Sequence, residues 1–204
     1  MDDKDLGREL MLRLQKGDQE AFTQIVQTYE RMVLNFAYRY LGDQGKAEDV
    51  AQETFLRVYR TRHSWRPEAK FRVWLLTIVS RLCMNQLRSA ARERRLLRFF
   101  NQGEAEEVYL NKADSRSDPP AENAISNERA EIVRSAVAQL GEKQRAVLLL
   151  HQFEGLSYEE VAEALGITVG AVRSLLVRAR RNLRRMLKPL LGADTPLSEG
   201  VSKP

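Results

Sequence analysis

The chain has 204 residues, 43% hydrophobic and 30% charged, with a formal net charge of +5. That length suits one or two domains, and no run approaches the ~18 apolar residues of a membrane span, which excludes membrane insertion. One cysteine (Cys83) and two histidines (His63 and His151) exclude an internal disulfide and leave too little for a zinc site, so a reducing, cytoplasmic setting is expected.

The charge is unevenly spread. Residues 1–100 carry 19 basic and 13 acidic side chains, residues 101–130 carry 3 and 7, and residues 131–204 carry 11 and 8. Two basic ends are thus joined by an acidic middle. Within the ends, Arg81 to Arg98 holds six arginines against Glu93, and Arg173 to Lys188 holds seven basic residues and no acid. Such clusters attract a polyanion, most commonly nucleic acid, although a solvated helix face carries the same pattern.

In chain order, the acidic start at Met1–Leu6 has no apolar segment behind it, which argues against a secretory leader. Apolar residues from Phe22 to Tyr40 recur at three-four spacing and predict a helix over Asp18–Leu41. A second helix follows over Lys46–Arg60, with Ala47, Val50, Ala51, Thr54 and Val58 as its core stripe. Its other face carries Asp49, Gln52, Glu53, Leu56 and Arg60, an aliphatic residue set among charges. That is either a solvated face or a docking surface centred on Leu56.

Thr61–Lys70 reads as a loop around Pro67, and a long helix spans Arg72–Arg95 with Leu75, Ile78, Val79, Leu82 and Leu87 inward. The loop and helix start hold Arg62, His63, Trp65, Lys70, Phe71, Arg72 and Trp74, and the outer helix face holds Arg81, Asn85 and Arg88. Aromatics interleaved with bases suit single-stranded nucleic acid, where rings stack on bases at ~1–3 kcal/mol each. Core packing is the alternative for Phe71 and Trp74, whereas Trp65, in a polar loop, is the stronger stacking candidate.

Residues 101–127 lose this periodicity and contain Gly103, several acids and the Asp118-Pro119-Pro120 break, which is linker composition. The expected organisation is therefore all-α: two small helical domains, 1–100 and 128–190, joined by a flexible linker over 101–127, with a disordered tail over 191–204. In the second domain, helices are predicted over Asn127–Leu140 and Glu142–Phe153. Ser157-Tyr-Glu-Glu then forms a capping box, and a last helix runs from Thr168 to Leu187.

Tyr158–Val177 has the form of a helix-turn-helix. Ala162 permits close helix crossing, Gly166 supplies the turn, and Val172 plugs the space between the helices. Val172, Leu176, Ala179 and Leu183 face inward, while Gly170, Arg173, Ser174, Val177, Arg178 and Arg181 face outward. Arginines on that face suit guanine edges in a major groove, with Thr168 and the helix N-terminus at a phosphate. No phosphate-cradling glycine loop is present, and His63, His151 and Cys83 lie far apart, so no catalysis and no cofactor are expected.

Ala47-Glu-Asp-Val-Ala-Gln-Glu-Thr-Phe-Leu-Arg-Val-Tyr, Phe71-Arg-Val-Trp-Leu-Leu-Thr-Ile-Val, and Leu156-Ser-Tyr-Glu-Glu-Val-Ala-Glu-Ala-Leu-Gly-Ile with Val172-Arg-Ser together resemble the bacterial RNA polymerase sigma factors. Within that family the likeness is to the short extracytoplasmic-function group. It implies a non-catalytic initiation factor that binds the clamp helices and flap of core RNA polymerase. Asp49, Gln52, Glu53, Leu56 and Arg60 would then contact the clamp. Arg62, His63, Trp65, Lys70, Phe71, Arg72, Arg81, Asn85 and Arg88 would hold the single strand at the −10 element. Thr168, Gly170, Arg173, Ser174, Val177, Arg178 and Arg181 would read the −35 duplex. An anti-sigma factor restraining the protein in an envelope or other stress response is also implied. The chain departs from many relatives at Leu175, where a base is common, and at Arg81, where asparagine is. A stand-alone helix-turn-helix regulator is the other class considered; it leaves the acidic Leu56 face and the loop aromatics without a purpose.

Overall fold

The computed structural model describes residues 3–68, 70–100 and 124–188. Among them the regular elements are all helical: α1 (Asp3–Gln15), α2 (Gln19–Leu41), α3 (Gln44–Arg60), a 3-10 turn (Arg62–Ser64), α4 (Phe71–Phe100), α5 (Ala124–Ala138), α6 (Glu142–Gln152), α7 (Tyr158–Leu165) and α8 (Val169–Leu187). The expected linker lies outside the described residues except for its last four, and the expected tail over 191–204 lies wholly outside. Those four residues correct the linker's boundary: α5 starts at Ala124, a strong helix former, rather than at Asn127.

Carboxylates start the two helices after α1. Asp18 accepts from the backbone N–H groups of Glu20 and Ala21, and Asp43 accepts from that of Lys46. The Arg13 side chain, 2.8 Å away, holds the Asp18 carboxyl below its usual value, and the Lys46 amide does the same for Asp43. A carboxyl whose value is depressed in the folded state stabilises above its unfolded value and loses that contribution as pH falls. Urea midpoints should therefore drop below about pH 4. The Asp43→Asn variant, which keeps a capping oxygen but no charge, should show a shallower drop; an unchanged slope would contradict the assignment.

The first core gathers the inward stripes of α2 (Ile25, Tyr29, Val33, Phe36), α3 (Val50, Ala51, Phe55, Val58) and α4 (Leu75, Leu76, Val79, Cys83). Cys83 is buried as a small core residue, and its surroundings push its thiol up. Helix α1 was not anticipated, because the acidic start masks its apolar residues; Leu10, Met11 and Leu14 nevertheless close this core. Gly7 lets α1 approach. A Cβ there would lie 2.5 Å from the Tyr29 hydroxyl oxygen and 2.7 Å from the Phe71 ring. Gly7→Val should lower stability by ~1–3 kcal/mol, the usual range for overpacking. Urea unfolding checks this, and an unchanged midpoint would show that α1 yields.

Trp65 corrects the sequence reading. It is only 1% exposed, its carbonyl accepts from the Gln15 side chain, and its ring meets Phe71 edge-on at 6.3 Å. Phe71 is likewise buried, between Trp65 and Tyr29. Helix α1 covers the loop and turns its aromatics inward, so neither ring is presented for base stacking.

In the second domain, Ser157 and Glu160 form the anticipated reciprocal capping box at α7. Gly166 ends α7 with φ +64, a left-handed turn that a side chain would strain. Thr168 caps α8, and Val172, Leu176 and Ala179 bury its inner face.

The two domains pack on each other, α4 against α6 and α7, and α2 against α5 and α6. Arg145 sits at the centre of this seam. It donates to the Tyr40 carbonyl at 2.6 Å, to the Leu140 carbonyl at 3.2 Å and to the Ala138 carbonyl, while the Tyr40 hydroxyl donates to the Glu142 carbonyl at 2.9 Å. Burial pushes the Tyr40 phenol up and the Arg145 guanidinium down, as expected where water is excluded.

Candidate docking and nucleic-acid faces

Helix α3 turns its core stripe inward, which leaves Asp49, Gln52, Leu56 and Arg60 exposed and Glu53 half-buried beside Arg57 at 3.8 Å and Arg60 at 3.9 Å. Leu56 is 48% exposed. It borders a groove of about 390 Å³ between α2 and α3, lined by Phe22, Val26, Glu30, Leu34, Glu48, Ala51, Gln52, Phe55 and Leu56. All five residues expected at the clamp thus share one helix, and Leu56 and Gln52 reach the groove. The α2 wall was missed. Its signal was an apolar stripe on α2 wider than one core face requires, with Phe22, Val26 and Leu34 off the fully buried line.

The second set of residues is divided. Arg81, Asn85 and His63 are exposed. Arg62 stacks over the Tyr59 ring, 4.5 Å from its centroid, and donates to the Tyr59 carbonyl at 2.7 Å. The remaining three bases are held by carboxylates of the second domain. Lys70 meets Glu160 at 2.5 Å, Arg72 meets Glu154 at 2.8 Å, and Arg88 takes both oxygens of Glu142. Each pairing acts on a charge state. Glu160 raises the Lys70 ammonium and Glu142 raises the Arg88 guanidinium, whereas Glu154, only 7% exposed, has its carboxyl pushed up by burial despite Arg72 and Arg39 beside it.

The third face is open. Gly170, Arg173, Ser174, Val177, Arg178 and Arg181 are all exposed on α8, as is its cap Thr168, and Val177 is 66% exposed. Arg173 lies over the Tyr158 ring at 5.7 Å, which steadies its direction. A helix with a buried aliphatic back and an outward arginine-serine-valine front has the shape and charge to enter a major groove. Among the described residues, no cluster of His, Cys, Asp and Glu could hold a metal, and no helix is long and apolar enough to cross a membrane.

Comparisons with known proteins follow the same division. The family profile of Sigma-70 region 2 matches residues 25–93, and that of Sigma-70 region 4 matches residues 130–183. The chain is 35% identical to the RNA polymerase sigma-H factor of Pseudomonas aeruginosa over 90% of this chain and 95% of that one. It is 34% identical to the ECF RNA polymerase sigma-E factor of Haemophilus influenzae over 89% and 95%. Among solved structures, the sigma factor RpoE of Bartonella quintana, in complex with the anti-sigma factor NepR, aligns with a TM-score of 0.59 at 25% identity, covering 81% of this chain and 96% of that one. CnrH, bound to the cytosolic domain of CnrY, aligns with a TM-score of 0.62 at 26% identity, covering 93% and 99%. With both regions matched in order and the relatives covered nearly end to end, the chain belongs to the sigma-70 family of RNA polymerase sigma factors, in its extracytoplasmic-function group.

Proposed function

We propose that this sigma factor binds core RNA polymerase through the α2–α3 groove centred on Leu56, holds the −10 single strand with the Thr61–Lys70 loop and α4, and reads the −35 duplex with α8. The observation that carries the reading is the front of α8. Arg173, Ser174, Val177, Arg178 and Arg181 stand exposed together on a helix whose back is packed shut. The chain supplies promoter choice and the polymerase supplies the chemistry, so it is not an enzyme and takes no cofactor. Its workplace is the cytoplasm, where the polymerase acts. The similar RpoE, solved with the anti-sigma factor NepR, supports restraint by such a partner, and the sigma-E and sigma-H names of its relatives fit a role in an envelope or other stress response.

Titrating fluorescently labelled protein with core polymerase tests the docking step. Saturable submicromolar binding is expected, and no binding in the micromolar range would overturn the proposal.

A further inference from the structure

The loop after α3 is braced from outside itself. Its 3-10 turn, Arg62–Ser64, has three residues, and so short a run has poor internal bonding to fix its shape. The brace is Gln15, the last residue of α1. Its amide nitrogen Nε2 donates to the Arg62 carbonyl at 2.7 Å and to the Trp65 carbonyl at 3.0 Å, which uses both of its N–H groups. These carbonyls bracket His63 and Ser64, so one side chain pins both ends of the turn.

Further bonds tie the same turn to the end of α3. The Ser64 hydroxyl donates to the Thr61 carbonyl at 2.7 Å, the Thr61 hydroxyl to the Arg57 carbonyl at 2.7 Å, and the Arg62 guanidinium to the Tyr59 carbonyl at 2.7 Å. The Trp65 ring is buried beneath. With the Ser64 hydroxyl and the Arg62 guanidinium engaged in this way, the side chain the turn offers to solvent is the exposed His63 ring.

We propose that Gln15 is a positioning residue for promoter recognition, stapling Arg62–Trp65 so that the His63 imidazole is held at the angle from which it meets a base of the −10 strand. The inference rests on the assignment of that strand to the loop. His63 makes the contact, and Gln15 acts through it. The staple is separate from the packing of α1, which is anchored by Leu10, Met11 and Leu14, whereas Gln15 is half-buried. Helix α1 also lies ahead of residues 25–93, which the region 2 profile matches, so the brace comes from outside that stretch.

A ring nitrogen reads a base edge through a bond of narrow direction. A turn left loose must be ordered when the strand arrives, and that ordering costs affinity. The cost falls on the correct base, because an incorrect base has no directed bond to lose. Loosening the turn therefore lowers selectivity at the base His63 faces, while phosphate contacts, which carry no sequence information, are spared.

Two substitutions isolate the staple. Gln15→Met keeps the length and the apolar stem but removes both donors, and Gln15→Lys restores N–H donors at similar reach. Each full-length variant, assembled with core polymerase, is titrated with a labelled single strand carrying the mapped −10 element and with strands substituted at each of its positions. Selectivity is the ratio of these affinities, so the added charge of lysine cancels. Gln15→Met should lose about tenfold in selectivity at one position, the scale of two weak hydrogen bonds, with −35 duplex selectivity unchanged. Gln15→Lys should recover most of that loss. Selectivity kept by Gln15→Met, lost alike at both elements, or not recovered by Gln15→Lys would overturn the proposal.

A double-mutant cycle with His63→Ala tests the route. His63→Ala should lose selectivity at the same position, and adding Gln15→Met should change it no further; additive losses would overturn the proposal. Unsubstituted holoenzyme that binds a scrambled strand as well as the −10 strand indicts the assignment of the −10 face instead.

Discussion

Leu56→Arg is expected to abolish retention on core RNA polymerase while leaving the fold intact. Leu56 stands half out of the α3 surface beside an apolar groove whose other wall is Phe22, Val26 and Leu34. An aliphatic side chain at the centre of such a groove, ringed by Asp49, Gln52 and Glu53, has the anatomy of a binding hot spot. Loss of a hot spot costs ~2–4 kcal/mol, which is about 30- to 1,000-fold in affinity. The same exposure protects the fold, because surface substitutions change stability by about 0.5 kcal/mol or less. Sedimentation with core polymerase and urea unfolding, run on the same preparation, read both quantities. Normal sedimentation by a folded Leu56→Arg variant would remove Leu56 from the interface.

The second large effect is expected on α8. Arg173→Ala combined with Arg178→Ala should erase discrimination of the −35 element by the holoenzyme, since each bidentate arginine contributes ~1–3 kcal/mol of base selectivity. Conservative replacement separates charge from reading. Arg178→Lys keeps the positive charge and therefore the salt dependence of binding, yet loses the planar fork that matches a guanine edge. Competition gel shifts against scrambled −35 duplexes should show selectivity lost in both variants and the salt slope reduced only in the alanine pair. Retained selectivity in the alanine pair would move the reading to other residues.

What the sequence made legible, and what it hid, divides along a physical line. Local signals were sufficient for α2, α3, α7 and α8. Three-four apolar spacing, the Ser157–Glu160 capping box and the Gly166 turn are encoded within a few residues of where they act, and the structure places them as read. The outward set on α8 was legible for the same reason, since the helix has one buried stripe, flanked by half-buried Val169, Leu175, Leu183 and Met186, and the opposite front faces water. Trp65 failed because its environment is not local: α1, roughly fifty residues earlier, folds over the loop and buries the ring. The paired state of Lys70, Arg72 and Arg88 was hidden likewise. Their partners lie 54 to 90 residues downstream, across an acidic stretch that carries no periodicity to announce docking. In sequence Glu142 opens a helix, Glu160 closes a capping box and Glu154 carries no reading; at the seam all three are counter-charges.

Initiation by core polymerase is the most direct measurement. Core enzyme lacking any sigma factor is supplied with this protein and genomic DNA, and transcript 5′ ends are mapped. Starts clustered behind a shared pair of −10 and −35 elements, dependent on the protein and lost with Leu56→Arg, are the predicted result. A pattern of starts no different from that of core enzyme alone would contradict promoter-directed function outright.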